Sequence, residues 1–191
     1  MLTPHTSTLS TIAHAFRVLT IKRAYLLCLF MVATLVPIQA QQQGSWQAFL
    51  AYYDVTRIVE GGGRVWVLAS GNVMSYDVNT GESTTYSKGS PLSDASIADI
   101  NFNATVRALL VLYSNGNIDI LHADGSVVNV PDYYNKAMTE DKTVTNIVMA
   151  GRHAYLTTMF GIIKLNMARG EIDDTYNMGT QVNDVLVEGN T

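Results

Sequence analysis

Between residues 55 and 187 the apolar positions fall in short alternating runs, and no stretch carries the sustained three-to-four spacing of a helical stripe. Gly71, Gly116 and Gly161 lie 45 residues apart, and the same order of residue types surrounds each. A β-rich run precedes the glycine: Val65 to Leu68, Leu110 to Tyr113, and Ala154 to Thr157. An alternating run follows it, with Val73 and Ser75, Ile118 and Ile120, and Ile163 and Leu165 as the inward set. A second turn comes next, at Thr80-Gly81, Asp124-Gly125 and Arg169-Gly170, where glycine can take the positive φ of a tight hairpin. Third runs leave these turns at Ser83 to Tyr86, Ser126 to Val130 and Ile172 to Tyr176. Each unit is also preceded by a short alternating stretch: Val55 to Val59, Ile97 to Phe102, Val144 to Met149, and a further one at Val182 to Val187.

Four short strands per unit of about 40 to 50 residues are the sequence mark of a propeller blade. The predicted fold is therefore all-β: a β-propeller of about three four-stranded blades in an incomplete ring. The blades fall at about 55–94, 95–141 and 142–181, with the start of a fourth at 182–191. A β-sandwich also has short strands at regular spacing, but it does not require glycines, aromatics and turns to recur in phase at one period.

The first 40 residues follow a different rule. No acidic residue occurs before Asp54, and Arg17, Lys22 and Arg23 stand just ahead of the apolar run 24–36. Pro37 and Ala40 then supply a breaker and a small residue. This is the pattern of a signal peptide over 1–40, cleaved to leave a mature domain 41–191 that is exported to the periplasm or the outer-membrane surface. The run is shorter than the ~20 residues of a membrane-spanning helix. Cys28, the one cysteine, lies inside it, behind Leu27 rather than the small residue of a lipoprotein processing site, so the mature chain rests on packing alone. Cleavage leaves nine basic residues against sixteen acidic, a net charge of −7. Such a surface repels phosphate backbones and argues against nucleic acid as a partner.

Candidate chemistry is sparse. His122 sits beside a turn and His153 before a strand, without metal-ligand spacing, and both read as surface histidines. Gly61 to Gly63 lacks the Lys-Ser/Thr of a phosphate loop and reads as a hairpin turn. Asp119, Asp173 and Asp174 are the carboxylates that could pair for glycoside chemistry. Asp119 falls on the outward phase of its strand, and the other two lie near a sheet edge, where charge blocks unwanted pairing. Asp94 and Asn101 read as turn scaffolding. Trp66, Tyr76 and Tyr155 are expected between blades; Trp46, Tyr52 and Tyr53 lie outside the repeats. Tyr133, Tyr134 and Lys136 occupy the longest insertion, 131–141, where two rings and a cation could meet a glycan or a partner. No residue is assigned a catalytic, metal or cofactor role, and no cofactor is expected.

The stretch Ser87 to Ile100 resembles the linker of the two-component-regulator propellers, with Leu92, Ser93 and Asp94 matching and Pro91 where that family has glycine. Tyr113 to Leu121, Asn129 to Asp132, Asp141 to Ile147 and Ala154 to Tyr176, in that order and spacing, resemble the N-terminal propeller of PorZ-like proteins. The resemblance runs from about Trp46 to Gly179. It implies an outer-membrane surface protein of a complex that processes type IX secretion cargo and attaches it to an anionic lipopolysaccharide. It also implies that the sortase chemistry belongs to a partner subunit, and that this module contributes scaffolding and glycan or lipopolysaccharide recognition. PorZ-like proteins carry further propeller units and a β-rich C-terminal domain, so the chain is expected to be a fragment. The alternative is the extracytoplasmic sensor propeller of a hybrid two-component system; a propeller glycosidase or lyase has only the acidic content behind it.

Overall fold

A computed structural model describes residues 53–188. They form three separate antiparallel sheets, each wound in simple sequence order. The first contains β1 (Val55–Gly61), β2 (Arg64–Ala69), β3 (Asn72–Asp77) and β4 (Ser83–Lys88), to which the two-residue β5 (Pro91–Leu92) adds in parallel. The second contains β6 (Ile97–Asn103), β7 (Ala108–Tyr113), β8 (Ile118–His122) and β9 (Val127–Val130). The third contains β10 (Val144–Ala150), β11 (His153–Thr158), β12 (Gly161–Asn166) and β13 (Glu171–Asn177). One helical turn, α1 (Asp132–Asn135), lies between the last two sheets. Among the described residues no helix is long and apolar enough to cross a membrane.

The sheets are propeller blades because of how they face one another. First strands approach first strands, β1 beside β6 and β6 beside β10, so the sheets fan out from a common axis. Two direct bonds tie this inner edge together. The Arg57 guanidinium grips Asp99 at 2.7 and 2.5 Å, and the Asn101 side-chain amide donates to the Ile147 carbonyl at 2.8 Å. Three blades leave the ring open, since closure takes four to eight.

Each inner strand carries one extra residue at the same place, between Val55 and Arg57, Ile97 and Asp99, and Val144 and Asn146. Such a bulge bends the strand and re-aims the side chain that follows it. At these points Asp99 and Asn146 each accept the amide of the next residue at 2.9 Å. Asp184 does the same for Val185 at 2.8 Å, and Asn146 donates to Asp184 at 3.1 Å. Residues 181–188 are not in a strand, but Val182 donates to the Thr158 carbonyl at 3.0 Å and its own carbonyl accepts from Thr145 at 2.6 Å.

The middle blade is buried on both faces, which explains why β7 reads as an unbroken apolar run. Leu109, Val111, Tyr113 and Leu121 pack toward the first blade, against Trp66, Leu68, Val73 and Tyr86. Ala108, Leu110, Leu112, Ile118 and Ile120 pack the other way, against Ile147, Leu156, Ile163 and Leu165. Val73, Ile118 and Ile163 are all buried, but only the first two are equivalent: counted from the bulges, Val73, Ile118 and Ile162 pair with Leu68, Leu112 and Thr157, so Ile163 lies one residue out of phase and packs back toward the second blade. The signal-peptide reading of 1–40, and Trp46 and Tyr52, fall outside the described residues.

Candidate functional site

The three turns joining the first and second strands of each blade, and those joining the third and fourth, open on one face of the array. At the junction of the first two blades this face holds a cleft of about 120 Å³. Gly61, Gly62, Arg64, Trp66 and Asp77 line it from the first blade, and Phe102, Arg107, Leu121 and Ala123 from the second. Its floor is aromatic: Trp66 and Phe102 lie nearly parallel, 6.5 Å apart, and a side chain on Gly61 would run into the Phe102 ring. Gly62 and Gly63, at φ +66° and +77°, form the hairpin turn expected of the glycine run.

Arg64 is held in place. It lies over the Trp66 ring at 6.0 Å, approaches Asp77 at 3.7 Å and donates to the Tyr86 hydroxyl at 3.2 Å. Asp77 accepts the Asn79 and Thr80 amides at 2.9 and 3.1 Å, and these bonds, the Asn79 one foremost, keep its carboxyl below the usual carboxylate range. Arg107 is exposed and forms no ion pair with the described residues. Two guanidiniums against one carboxylate give the cleft a net positive charge within an acidic protein.

The other polar groups assemble elsewhere, and differently from what alternation predicts. Asp119 is not outward: it is fully buried, because both faces of a middle blade are inside. It accepts the Tyr113 hydroxyl at 2.5 Å, Asn129 Nδ2 at 2.8 Å and the Ser93 amide at 2.8 Å, tying the linker after the first blade to the second. His153 is likewise 8% exposed rather than on the surface, and its Nε2 meets Asp173 at 2.9 Å. Asp173 also pairs with Arg169 and accepts Asn166 at 3.3 Å. Burial pushes its pKa up, but the bonds from His153, Arg169 and Asn166 outweigh that and hold it low. Asp174 is exposed on the outer strand of the third blade, apart from Asp119, so the three carboxylates do not converge. Among the described residues no group of three or more His, Cys, Asp or Glu is arranged to hold a metal ion.

The insertion at 131–141 divides. Tyr133 is a core residue, 1% exposed, which donates to the Lys142 carbonyl at 2.9 Å and packs 6.4 Å from Phe160. Of the insertion's two rings and cation, Tyr134 and Lys136 reach the surface. Trp66 is buried between the first two blades as expected, whereas Tyr155, also buried, lies on the face of β11 opposite Leu156 and outside both inter-blade cores, and Tyr76 is 44% exposed on the side of the first blade away from the second. Asp94 bonds the Ala95 amide and Asn115, as turn scaffolding does.

Burial raises the pKa of both Tyr113 and Tyr133, assisted in Tyr113 by its bond to Asp119 and in Tyr133 by the Asp141 charge. The folded values lie above the unfolded value of about 10. The unfolded chain then loses these protons first, so stability is undiminished below pH about 10 and falls above it, by up to about 1.4 kcal/mol per pH unit for each tyrosine. Urea unfolding at pH 9 and pH 11 should show this drop, and a Tyr113→Phe, Tyr133→Phe variant should flatten it.

Comparison with known proteins places this geometry. The profile of the family described as the type IX secretion PorZ N-terminal β-propeller domain matches residues 65–191. PorZ of Porphyromonas gingivalis, described as an essential bacterial surface component of the type IX secretion system, superposes with a TM-score of 0.67 at 33% identity, over 72% of this chain and 19% of that one. The chain therefore spans about a fifth of the length of that relative. The extracellular domain of BT4673 from B. thetaiotaomicron, described as a hybrid two-component system, superposes with a TM-score of 0.52 at 14% identity over 74% of this chain and 18% of that one, a likeness of fold. No curated protein sequence matches.

Proposed function

Because the chain belongs to the PorZ N-terminal β-propeller family, we propose that it is a non-catalytic scaffold or recognition module of a type IX secretion complex on the bacterial surface. The observation that carries this reading is the superposition on PorZ at 33% identity, which extends over nearly three quarters of the chain. The internal chemistry agrees with it. The buried carboxylate Asp119 and the His153–Asp173 pair hold blades and strands together.

In this role the module is exported by the leader 1–40 and works at the periplasmic or outer-membrane surface, contacting other subunits of the attachment complex and a glycan or lipopolysaccharide. Deleting the gene in its own bacterium tests the role. Type IX cargo should then lose its surface attachment, and normal attachment would refute the reading; a change confined to transcription of glycan-utilisation genes would point to the sensor reading instead. Mass spectrometry of the exported protein should place its N-terminus near Gln41, and a retained leader would overturn the export step.

A further inference from the structure

The cleft between the first two blades has features that holding the blades together does not require. Arg107 sits at φ +57°, a left-handed conformation that disfavours any residue with a Cβ. The shorter, two-residue turns of the first and third blades take that conformation at glycine, Gly62 and Gly63 in one and Gly151 in the other, where Gly151 is followed by an exposed arginine, Arg152, that does not adopt it. The second blade accepts the strain and keeps a long cation there, exposed, without an ionic partner among the described residues. Backbone strain of this kind gathers at binding sites.

The turn that presents Arg107 is rigid. The Thr105 and Val106 amides are taken by Asn103 Oδ1 at 3.0 and 2.9 Å, and the Arg107 amide by the Asn103 carbonyl at 2.8 Å. Asn103 is itself buried and donates to the His153 carbonyl of the third blade at 3.4 Å. Across the cleft, Arg64 is oriented in advance by Trp66, Asp77 and Tyr86.

We propose that this cleft is a subsite for the carboxylate of an acidic sugar, gripped by Arg107 beside the preset Arg64. At about 120 Å³ the cleft is well below the ~300 Å³ at which pockets begin to enclose whole small ligands, so it holds one group of a larger molecule. Two guanidiniums against Asp77 balance a single negative charge, and a guanidinium fork matches the two oxygens of a carboxylate. Capture of a peptide C-terminus ordinarily uses a nest of free backbone amides, and the amides of the Arg107 turn are already bonded. The half-buried Phe102 supplies an aromatic surface for the C–H face of a pyranose ring.

The subsite rests on the recognition reading above, and one variant separates the two. Arg107→Gly relieves the backbone strain and removes the grip, so its melting temperature should be equal to or above that of the parent while binding falls. Ligand-observed NMR titrations of the full chain with glucuronate, glucose and N-acetylalanine provide the readout. Glucuronate should bind, glucose and N-acetylalanine should bind more weakly, and Arg107→Gly should weaken glucuronate by about tenfold or more. Equal binding of glucuronate by parent and variant, no preference over glucose, or tighter binding of N-acetylalanine would overturn the subsite. If gene deletion disrupts cargo attachment while the titrations fail, the module's role stands and the subsite does not.

Discussion

Replacing Asp119 with alanine is expected to destabilise the protein by about 3 kcal/mol, although the residue touches no solvent. Its carboxylate receives three hydrogen bonds, and the substitution affects them unequally. Asn129 Nδ2 retains the Asn117 side chain at 3.0 Å and the Ile118 carbonyl at 3.2 Å. The Tyr113 hydroxyl and the Ser93 amide lose the acceptor they now have. The buried Tyr113 hydroxyl stranded in this way costs about 1–3 kcal/mol, and the amide of the exposed Ser93, which water can reach, adds less. The loss also frees the linker between the first two blades, so the melting temperature should fall by roughly 10 °C. Tyr113→Phe in the same chain removes one of the stranded donors and should recover about 1 kcal/mol. Thermal and urea unfolding of the two single variants and the double variant measure this directly. A cost below about 1 kcal/mol for Asp119→Ala would mean that Asp119 does not tie the blades together.

At Asp119 alternation stops being informative. Period two identifies the strands, and the 45-residue recurrence identifies blades, because glycines and turns keep phase however much the side chains between them vary. Alternation also assigns an inside and an outside, and that step assumes one wet face. In the middle blade the assumption fails: odd and even residues of β7 enter two different cores. The run Ala108 to Tyr113, six residues without a polar break, carried the correct message, since only a strand covered on both sides reads so. His153 escapes for a related reason, for it pairs across its sheet with Asn166 and reaches Asp173 beyond it. The inner-strand bulges left no mark in the sequence, because any residue can fill them and only the hydrogen-bond register reveals them.

The candidate cleft was hidden by distance along the chain. Arg64, Asp77, Phe102 and Arg107 come from turns of two blades, and only the packing of one blade on the next brings them to one opening. No recurrence marked it: 45 residues before Arg107 stands Gly62, and 45 after it Arg152, another arginine. The insertion with two tyrosines and a lysine looked more exposed than it is, because Tyr133 inserts beside Phe160 and its hydroxyl finds the Lys142 carbonyl. A buried aromatic with a satisfied hydroxyl has the same composition as a binding aromatic.

The recurring glycine itself yields the sharpest test, because three positions that are equivalent in sequence are not equivalent in space. At Gly71 the backbone has φ +73° and an added Cβ would meet nothing within 4 Å, so alanine there should cost only the conformational penalty, about 1 kcal/mol. At Gly116 the φ of +86° is joined by a tight approach of Tyr133, 3.2 Å from the added atom, and the cost should be higher, about 2 kcal/mol. Gly161 differs in kind. Its φ of +158° is one that a residue with a Cβ rarely adopts, and the chain leaving β13 folds back across it, where Met178 and Gly179 donate to the Phe160 carbonyl at 2.9 and 3.1 Å. A Cβ on Gly161 would collide with the Tyr176 carbonyl oxygen and lie 3.1 Å from the Met178 amide, both backbone atoms with no rotamer to escape into. Gly161→Ala must therefore part β12 from β13 at its end and disturb Phe160 and Ile163 in the core shared with the second blade. The expected cost is about 4 kcal/mol, enough to leave much of a marginally stable chain unfolded at 37 °C. Urea midpoints should rank Gly71→Ala above Gly116→Ala and Gly161→Ala last. If Gly161→Ala proved as mild as Gly71→Ala, the return of the chain over Gly161 could not be part of the folded state.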